Sequence, residues 1–434
     1  MKDVSTVELQ IAERAKKYKG EALHNLHHYI DVPMLQEVYG NLNKRSASGV
    51  DEVTWEDYGE NLTKRLTSLE EEFKSGTYRA PAVRRVYIQK DKHSQRPLGI
   101  PTIEDKVLQG GVCKVIEPIY EEDFKTFSYG FRAEHSPHQA VKQLFRKVSF
   151  GRMYHIIDAD IQNYFGSINH GFLREFLDKR VKDGVIRRMM DKWLKAGVLE
   201  SGNISYPDKG TPQGGVISPL LANIFLHYVL DEWFSEQIQP LLKGQSFIIR
   251  YADDFILGFS DKTDAERVME VLPKRFAKYK LTLHPEKTKL IDLTNPGGTS
   301  GRSFDFLGFT HYLGKSRKGK QILKHKTNTK RLSRAVSRMN DFIKRNRHIE
   351  LRELIAEINL KLRGHYSYYG ITFNFKGIAM YYAEVRKYLL KWLRRRGGKT
   401  KWKWENFQSL IDEWCPLIKP YIANSYVHHS EPNY

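Results

Sequence analysis

The chain has 434 residues, enough to bury a large core and to form two or three domains. Its 71 Lys and Arg residues exceed its 51 Asp and Glu residues, giving a formal net charge of +20 that indicates a polyanionic partner. Two cysteines, Cys113 and Cys415, are too few for a disulfide framework or a four-cysteine zinc site. The polar amino terminus lacks the apolar segment of a signal peptide, and no membrane span is predicted, so we expect a cytoplasmic protein without a membrane partner.

The amino-terminal third of the chain predicts helices followed by a basic hairpin. Leu35, Val38 and Leu42 recur at helical spacing within the polar first part of the chain. From about residue 82 to 102, an apolar and basic strand leads through a polar tip to a segment closed by Gly and Pro, a pattern typical of a β-hairpin. Helical patterns then continue to about residue 148.

Acidic residues stand at the ends of two predicted strands in the middle of the chain. The strand Tyr154–Ile161 carries Asp158 and Asp160 near its end. A second apolar strand leads into Tyr251-Ala252-Asp253-Asp254 and a third follows, which predicts a β-hairpin with the acidic pair at its tip. These strands alternate with helices up to about residue 312, so the sequence predicts an α+β sheet domain.

The composition changes after residue 314. Between residues 315 and 348 there are thirteen basic residues and one acid. Leu332, Val336, Met339 and Ile343 share one helical face, so the basic side chains on the remaining surface are free to contact phosphates. Further amphipathic segments predict a basic all-helical domain over residues 313–396, and residues 397–434 are predicted to form a basic and aromatic tail that binds nucleic acid.

Asp160, Asp253 and Asp254 have the chemistry required for phosphoryl transfer. Transfer to a 3′-hydroxyl uses two divalent cations about 3.5–4 Å apart, and Mg²⁺ prefers oxygen ligands. A polar turn is the alternative interpretation of an isolated Asp-Asp pair. Asp158 and Asp160 point to the same face of a strand, so their spacing alone does not choose between them.

The motifs resemble those of reverse transcriptases, in particular the group II intron-encoded family. Tyr251-Ala252-Asp253-Asp254 matches the hairpin motif of that family, and Gly210–Asn223 is nearly the whole motif that precedes it. The collinear matches cover about residues 35–312, and the basic segment after them resembles the thumb, or maturase, region of the family. Further matches in the family's order are Arg96–Pro101, Ser128–Arg132, Asp158–Ile161, Lys287–Lys289 and Phe304–Phe309.

The resemblance implies an RNA-directed DNA polymerase that also binds intron RNA to assist splicing and mobility. Its fold would be a right-hand polymerase fold, with fingers and palm in residues 1–312, an extension in about 1–45, and the thumb in 313–396. The implied partners are an RNA template, a DNA primer, deoxynucleoside triphosphates, structured group II intron RNA and target DNA. The implied cofactor is a pair of Mg²⁺ ions, with Mn²⁺ as a substitute, and no nuclease module is expected. Two alternatives are a splicing-only RNA-binding maturase and a reverse transcriptase recruited to host defence or repair.

The resemblance also assigns the residues around the reacting atoms. Asp160 and Asp253 correspond to the metal-bridging acids, with Ile161 beside them in the metal site, and Asp254 assists beside the primer end. Phe165 corresponds to an aromatic floor that would exclude a 2′-hydroxyl, although a plain core aromatic is the alternative. Gly166 is a departure, because the family usually has an aspartate there.

Other residues are expected to hold the substrates. The resemblance places Lys90, Arg96 and Gln213 at the incoming nucleotide, and Arg and Lys suit phosphate oxygens; a solvated surface hairpin is the alternative for the first two. Lys287 and Lys289 resemble a primer-grip segment, but a lysine pair also protects a strand edge. The full set of residues expected to contact primer and template is Tyr251, Lys287, Lys289, Lys330, Arg331, Arg334 and Arg338.

Overall fold

The structure is a computed structural model that describes residues 4–89, 95–200, 203–206, 209–210, 214–294, 302–396 and 402–426. Its mixed helices and sheets confirm the α+β prediction. Among the helices within these ranges, none is both long and apolar enough to cross a bilayer. The chain begins with α1 (Val4–Lys17), a 3₁₀ turn (His27–Tyr29), α2 (Val32–Asn41), α3 (Trp55–Gly59) and α4 (Leu62–Ser75).

The predicted basic hairpin forms the edge of a small sheet. Its strands are β1 (Val83–Gln89) and β2 (Gln95–Ile100), which pair antiparallel so that Ile88 lies opposite Arg96. The sheet has the order β2-β1-β4-β5, where β4 is Val198–Glu200 and β5 is Asn203–Ser205. The hairpin prediction is confirmed for both strands, and the tip lies outside the described residues.

Helices surround the central sheet on both faces. The largely buried α5 (Ile103–Glu121) is capped at its amino terminus by Thr102, whose hydroxyl accepts a hydrogen bond from the Asp105 amide at 3.2 Å. The remaining helices of this part are α6 (Pro137–Ser149), α7 (Tyr164–Ser167), α8 (His170–Asp178), α9 (Gly184–Leu194), α10 (Ser218–Leu226) with π-helical continuations at His227–Asp231 and Trp233–Ile238, a 3₁₀ turn (Gln239–Leu241), and α11 (Lys262–Lys278).

The central sheet carries the acidic residues. Its order is β6-β7-β3-β8, with every neighbouring pair antiparallel. Because side chains alternate along a strand, Ile157 packs into the core on one face and Ile156 into the core on the other. Burial on both faces explains the apolar character of these strands. The strands are β3 (His155–Ala159), β6 (Ser246–Tyr251), β7 (Asp254–Phe259) and β8 (Lys289–Asp292).

A third sheet precedes the carboxy-terminal helices. It consists of β9 (Ser303–Phe306), β10 (Phe309–Lys315) and β11 (Gln321–Thr327), in the order β11-β10-β9. The all-helical prediction from residue 313 is therefore wrong for β10 and β11. Leu323 and His325 lie two residues apart on the same face of β11, and both are buried. The β10–β11 ladder satisfies the backbone of both strands.

The helical part begins only after this sheet. Its elements are α12 (Thr329–Asn346), α13 (Leu351–Tyr369), α14 (Phe375–Leu393), α15 (Trp404–Ser409) and a π-helical turn (Leu410–Trp414). The predicted apolar face of α12 is confirmed, because Met339 and Ile343 are buried while Leu332 and Val336 pack against the same core. The tail was predicted as a nucleic-acid-binding segment, and within its described residues Leu417 is buried against these helices.

Candidate active site

The acidic pair lies in a tight turn between β6 and β7. We call residues 251–254 the catalytic turn. Tyr251 pairs with Asp254 across the hairpin, and Ala252 has a left-handed φ of +58°. On the neighbouring strand, Ala159 pairs with Phe255, so Asp160 follows β3 at the same edge of the sheet. The register therefore brings Asp160 to the acidic pair, as the sequence predicted.

The loop before β8 holds the backbone of Asp160 in place. The Asp160 carbonyl accepts the amide of His284 at 2.7 Å, and the Gln162 amide donates to the carbonyl of Thr282 at 2.9 Å. Ile161 forms a backbone bridge with Leu283, and its side chain is buried. Because that side chain is a hydrocarbon, Ile161 could bind a metal ion only through its backbone carbonyl. These bonds hold the backbone around Asp160 and do not involve its carboxylate oxygens.

Burial and neighbouring carboxylates raise the pKa of two acids at this edge of the sheet. The protein surrounding Asp254 raises its pKa to about 6, with further contributions from Asp253 and Asp160. Burial likewise raises the pKa of Asp158 to about 7, and the charges of Asp254, Asp305 and Asp160 add to the effect. A concentration of carboxylate oxygens of this kind suits Mg²⁺. In the described part of the chain, however, no group of three or more His, Cys, Asp or Glu side chains has the spacing of a metal site.

A lysine partly neutralises this acidic group. The ammonium of Lys287 donates to the Asp160 carboxylate at 2.6 Å, with side-chain exposures of 56% and 33%. Lys289 lies opposite Asp158 in the β3–β8 ladder. The predicted lysine pair therefore lies beside the acids that were predicted to bind metal, and its positive charges oppose the negative charges of the carboxylates.

Two adjoining spaces meet at Asp254. The first, which we call the acidic cavity, has a volume of about 540 Å³ and is lined by residues that include Asp158, Asp160, Asp254, Lys287, Lys289 and Lys330. The second, which we call the basic cleft, has a volume of about 720 Å³ and is lined by residues that include Arg96, Asp254, Lys330, Arg331, Arg334 and Arg338. The basic hairpin, the catalytic turn and α12 thus face one continuous opening, although they are far apart in the sequence.

Phe165 lies in the short helix α7 that follows β3. Its ring is half-buried and meets Tyr164 edge-to-face, with 5.5 Å between the ring centroids. Tyr164 is buried, and its hydroxyl donates to the carbonyl of Ala222 at 2.6 Å. At Gly166, a Cβ would lie 2.5 Å from the side-chain nitrogen of Asn163. Asn163 is exposed and its amide can move aside, so this contact does not by itself explain glycine in place of the family's aspartate.

The structure accounts for the predicted substrate residues unequally. Arg96 is exposed on the wall of the basic cleft. Tyr251, the first residue of the catalytic turn, is half-buried against the core. Lys90 and Gln213 lie outside the described residues. Lys287 and Lys289 line the acidic cavity, and Lys330 lines both spaces. The basic cleft is also lined by Arg331, Arg334 and Arg338.

Sequence reasoning did not single out Asp305. This acid lines both spaces and raises the pKa of Asp158. Its carboxylate accepts the hydroxyl of Thr310 at 2.6 Å and the amide of Asn328 at 2.7 Å. Its position in the motif Phe304–Phe309 was the available signal, because strand alternation separates it from the buried Phe304 and Phe306.

The site and its basic surroundings define a nucleic-acid polymerase, and comparisons with known proteins identify the family. The model for "Reverse transcriptase (RNA-dependent DNA polymerase)" matches residues 88–311, and that for "Group II intron, maturase-specific domain" matches residues 320–409. The Group II intron-encoded protein LtrA of Lactococcus lactis subsp. cremoris is 30% identical over 476 residues, covering 89% of this chain and 77% of that protein. Protein YkfC of Escherichia coli (strain K12) is 33% identical over 306 residues, covering 62% of this chain and 77% of that protein.

The chain belongs to the group II intron-encoded reverse transcriptase and maturase family. It is an RNA-directed DNA polymerase with a maturase domain, as the motif resemblance predicted. The family uses divalent metal ions, and its two domains imply RNA and DNA as partners.

Proposed function

We propose that Asp160 and Asp253 hold two Mg²⁺ ions and that Asp254 assists beside the primer end. When bound, such ions activate the attacking 3′-hydroxyl and neutralise the leaving pyrophosphate. The observation that supports this assignment is the acidic cavity, which Asp158, Asp160 and Asp254 line together. Burial raises the pKa of Asp158 and of Asp254, and neighbouring carboxylates add to both effects. Their mutual repulsion makes the site favourable for cations, including Mn²⁺ as a substitute.

Lys287 has a second role in this proposal. Its ammonium balances the charge of Asp160, but an exposed ion pair contributes little free energy. The lysine can therefore leave the carboxylate at small cost and contact a phosphate of the primer. Lys289, which lines the acidic cavity, and Tyr251 are assigned to primer and template contacts.

The nucleotide enters from the side of the basic hairpin. Arg96 offers a two-pronged donor for triphosphate oxygens, and Lys90 and Gln213 complete the nucleotide site. Phe165 lies beneath the deoxyribose, where its ring would overlap a 2′-hydroxyl. Because this overlap is steric, it selects deoxynucleotides without requiring a hydrogen bond.

The domains are proposed to follow the right-hand arrangement. Residues 1–312 are the fingers and palm, with an extension over about 1–45, and residues 313–396 are the thumb and maturase region. The thumb hairpin β10–β11 precedes its helices, so the phosphate-binding surface begins at α12. The basic face of α12 is suited to the backbones of an RNA template and DNA primer, and residues 397–434 extend this nucleic-acid surface.

The same basic surfaces are proposed to bind structured group II intron RNA and target DNA, which would assist splicing and mobility. The maturase-specific match over residues 320–409 supports this role over recruitment to host defence or repair. The acids around Asp254 support catalysis over a splicing-only function, because an RNA-binding scaffold has no need for a costly cluster of carboxylates.

The decisive experiment is Asp253→Ala in the full chain. Primer extension on an RNA template in Mg²⁺ should be lost, while RNA binding is retained because that binding depends on distributed phosphate contacts. Asp178→Ala, which removes a half-exposed acid on α8, is the control and should extend primers normally. Extension by Asp253→Ala above about a tenth of the wild-type rate would contradict a two-metal site at this residue.

A further inference from the structure

A buried ion pair lies directly behind the catalytic turn. Arg250 and Asp231 are both completely inaccessible to solvent. The guanidinium of Arg250 donates two parallel bonds to the Asp231 carboxylate, Nε to Oδ1 at 2.8 Å and Nη2 to Oδ2 at 2.6 Å. Removing two charges from water is costly and often contributes no net stability, so this pair calls for an explanation other than stability.

The remaining nitrogen of Arg250 reaches the turn itself. Its Nη1 donates to the carbonyl of Ala252 at 3.0 Å and to the side-chain oxygen of Asn223 at 2.8 Å. Ala252 has the left-handed φ of +58°, which is unfavourable for a residue with a side chain unless its surroundings hold it there. The bond from Arg250 holds the carbonyl of this residue, immediately before Asp253.

A second segment closes the turn from the other side. Asn223 donates to the carbonyl of Gly130 at 2.7 Å, while the amide of Tyr129 donates to the carbonyl of Arg250 at 2.8 Å. A Cβ at Gly130 would lie only 2.2 Å from the backbone nitrogen of Ala252. The backbone of residues 129–130 is therefore packed directly against the catalytic turn.

We propose that Arg250 is a positioning residue for catalysis, held in place by Asp231 and Asn223. It maintains the left-handed conformation of Ala252 and so directs Asp253 towards Asp160. The buried charge of Asp231 orients the guanidinium, and Asn223 connects it to Gly130. This inference rests on the proposed metal-binding role of Asp253, but it assigns a separate function to residues that do not touch the substrate.

The test is the double variant Arg250→Met/Asp231→Leu. Replacing a buried ion pair by apolar residues of similar volume usually preserves folding, whereas the bond to the Ala252 carbonyl is lost. We expect a folded protein with unchanged primer–template affinity and unchanged KM for the nucleotide. The kcat should fall about 100-fold, as for a small misplacement of a catalytic group, and the Mg²⁺ concentration for half-maximal activity should rise.

Arg187→Met is the matched control. Like Arg250, Arg187 donates to an aspartate, Asp178, at 3.0 Å and to a backbone carbonyl, that of Arg174, at 3.1 Å. Arg187 lies on α9 and has no bond to the catalytic turn in these contacts. The kcat and the Mg²⁺ dependence of the Arg187→Met variant should equal those of the wild type. A folded double variant with wild-type kcat and Mg²⁺ dependence would overturn the inference, as would a fall in kcat caused by weaker RNA binding alone.

Arg250→Lys provides a second test if the double variant does not fold. Lysine keeps the charge beside Asp231, but its single nitrogen cannot reproduce the bidentate pair and also hold the Ala252 carbonyl. The same loss of kcat and the same shift in Mg²⁺ dependence are expected, and wild-type values would overturn the inference. Asp253→Ala measured in parallel separates the two proposals: activity in that variant refutes the metal assignment, whereas activity only in the Arg250 variants refutes the positioning role.

Discussion

Removing the charges on α12 should weaken RNA binding and reduce its dependence on salt. The change is the quadruple substitution of Lys330, Arg331, Arg334 and Arg338 by Gln. Three of these side chains are exposed and Arg334 is half-buried, and all four line the basic cleft. Glutamine preserves much of the length and polarity of each side chain while removing its charge.

The size of the effect follows from counterion release. Each phosphate contact contributes about 0.7–0.9 to the slope of log affinity against log salt, so the loss of four contacts should flatten the slope by up to about 3.6. Between about 50 and 200 mM salt, the wild type should therefore lose up to roughly 150-fold more affinity than the variant. At low salt the variant should bind more weakly, because it forms fewer contacts.

The assay is equilibrium binding of a fluorescent RNA template annealed to a DNA primer, measured over a series of salt concentrations. A charge-matched control is the substitution of Lys262, Arg267, Lys274 and Lys278 by Gln on α11, where all four residues are exposed. These residues do not line the basic cleft, so the control should keep the wild-type slope. An α12 variant with an unchanged slope would show that the helix does not face the bound duplex.

Two further predictions concern sugar selection and acid stability. Phe165→Val should raise ribonucleotide incorporation relative to deoxynucleotide incorporation in single-nucleotide kinetics on an RNA template, while Tyr164→Phe should leave the ratio unchanged; wild-type discrimination in an active Phe165→Val enzyme would exclude a steric role. Burial lowers the pKa of His311 to about 4. Burial also lowers the pKa of His325 well below its usual value, and the Nδ1 atoms of the two rings lie 2.9 Å apart. Because the unfolded chain then binds more protons than the folded one, the free energy of unfolding should fall as the pH drops from about 6.5 towards 4. Denaturant titrations should show a weaker pH dependence in this range for His325→Phe, and an equal dependence would contradict the assignment.

Local patterns were sufficient for much of the catalytic centre. The hairpin around Asp253 and Asp254, the strand before Asp160 and the apolar face of α12 each depend on residues close together in the chain. Strand alternation and helical periodicity report such arrangements directly. The family resemblance extended these predictions, because it supplied the order of the motifs and the choice of Asp160 over Asp158.

Long-range relationships were decided only by the tertiary structure. The sequence does not reveal that Lys287 pairs with Asp160, that Arg96 and α12 face one opening, or that Asp305 joins the acids. The strands β10 and β11 were also missed, although they form a local hairpin, because their basic residues were grouped with the helical segment that follows them. The buried ion pair of Arg250 with Asp231 is the clearest case. In the sequence, Arg250 is one more basic residue beside the motif. Only the tertiary packing removes both charges from water and brings the guanidinium into contact with the catalytic turn.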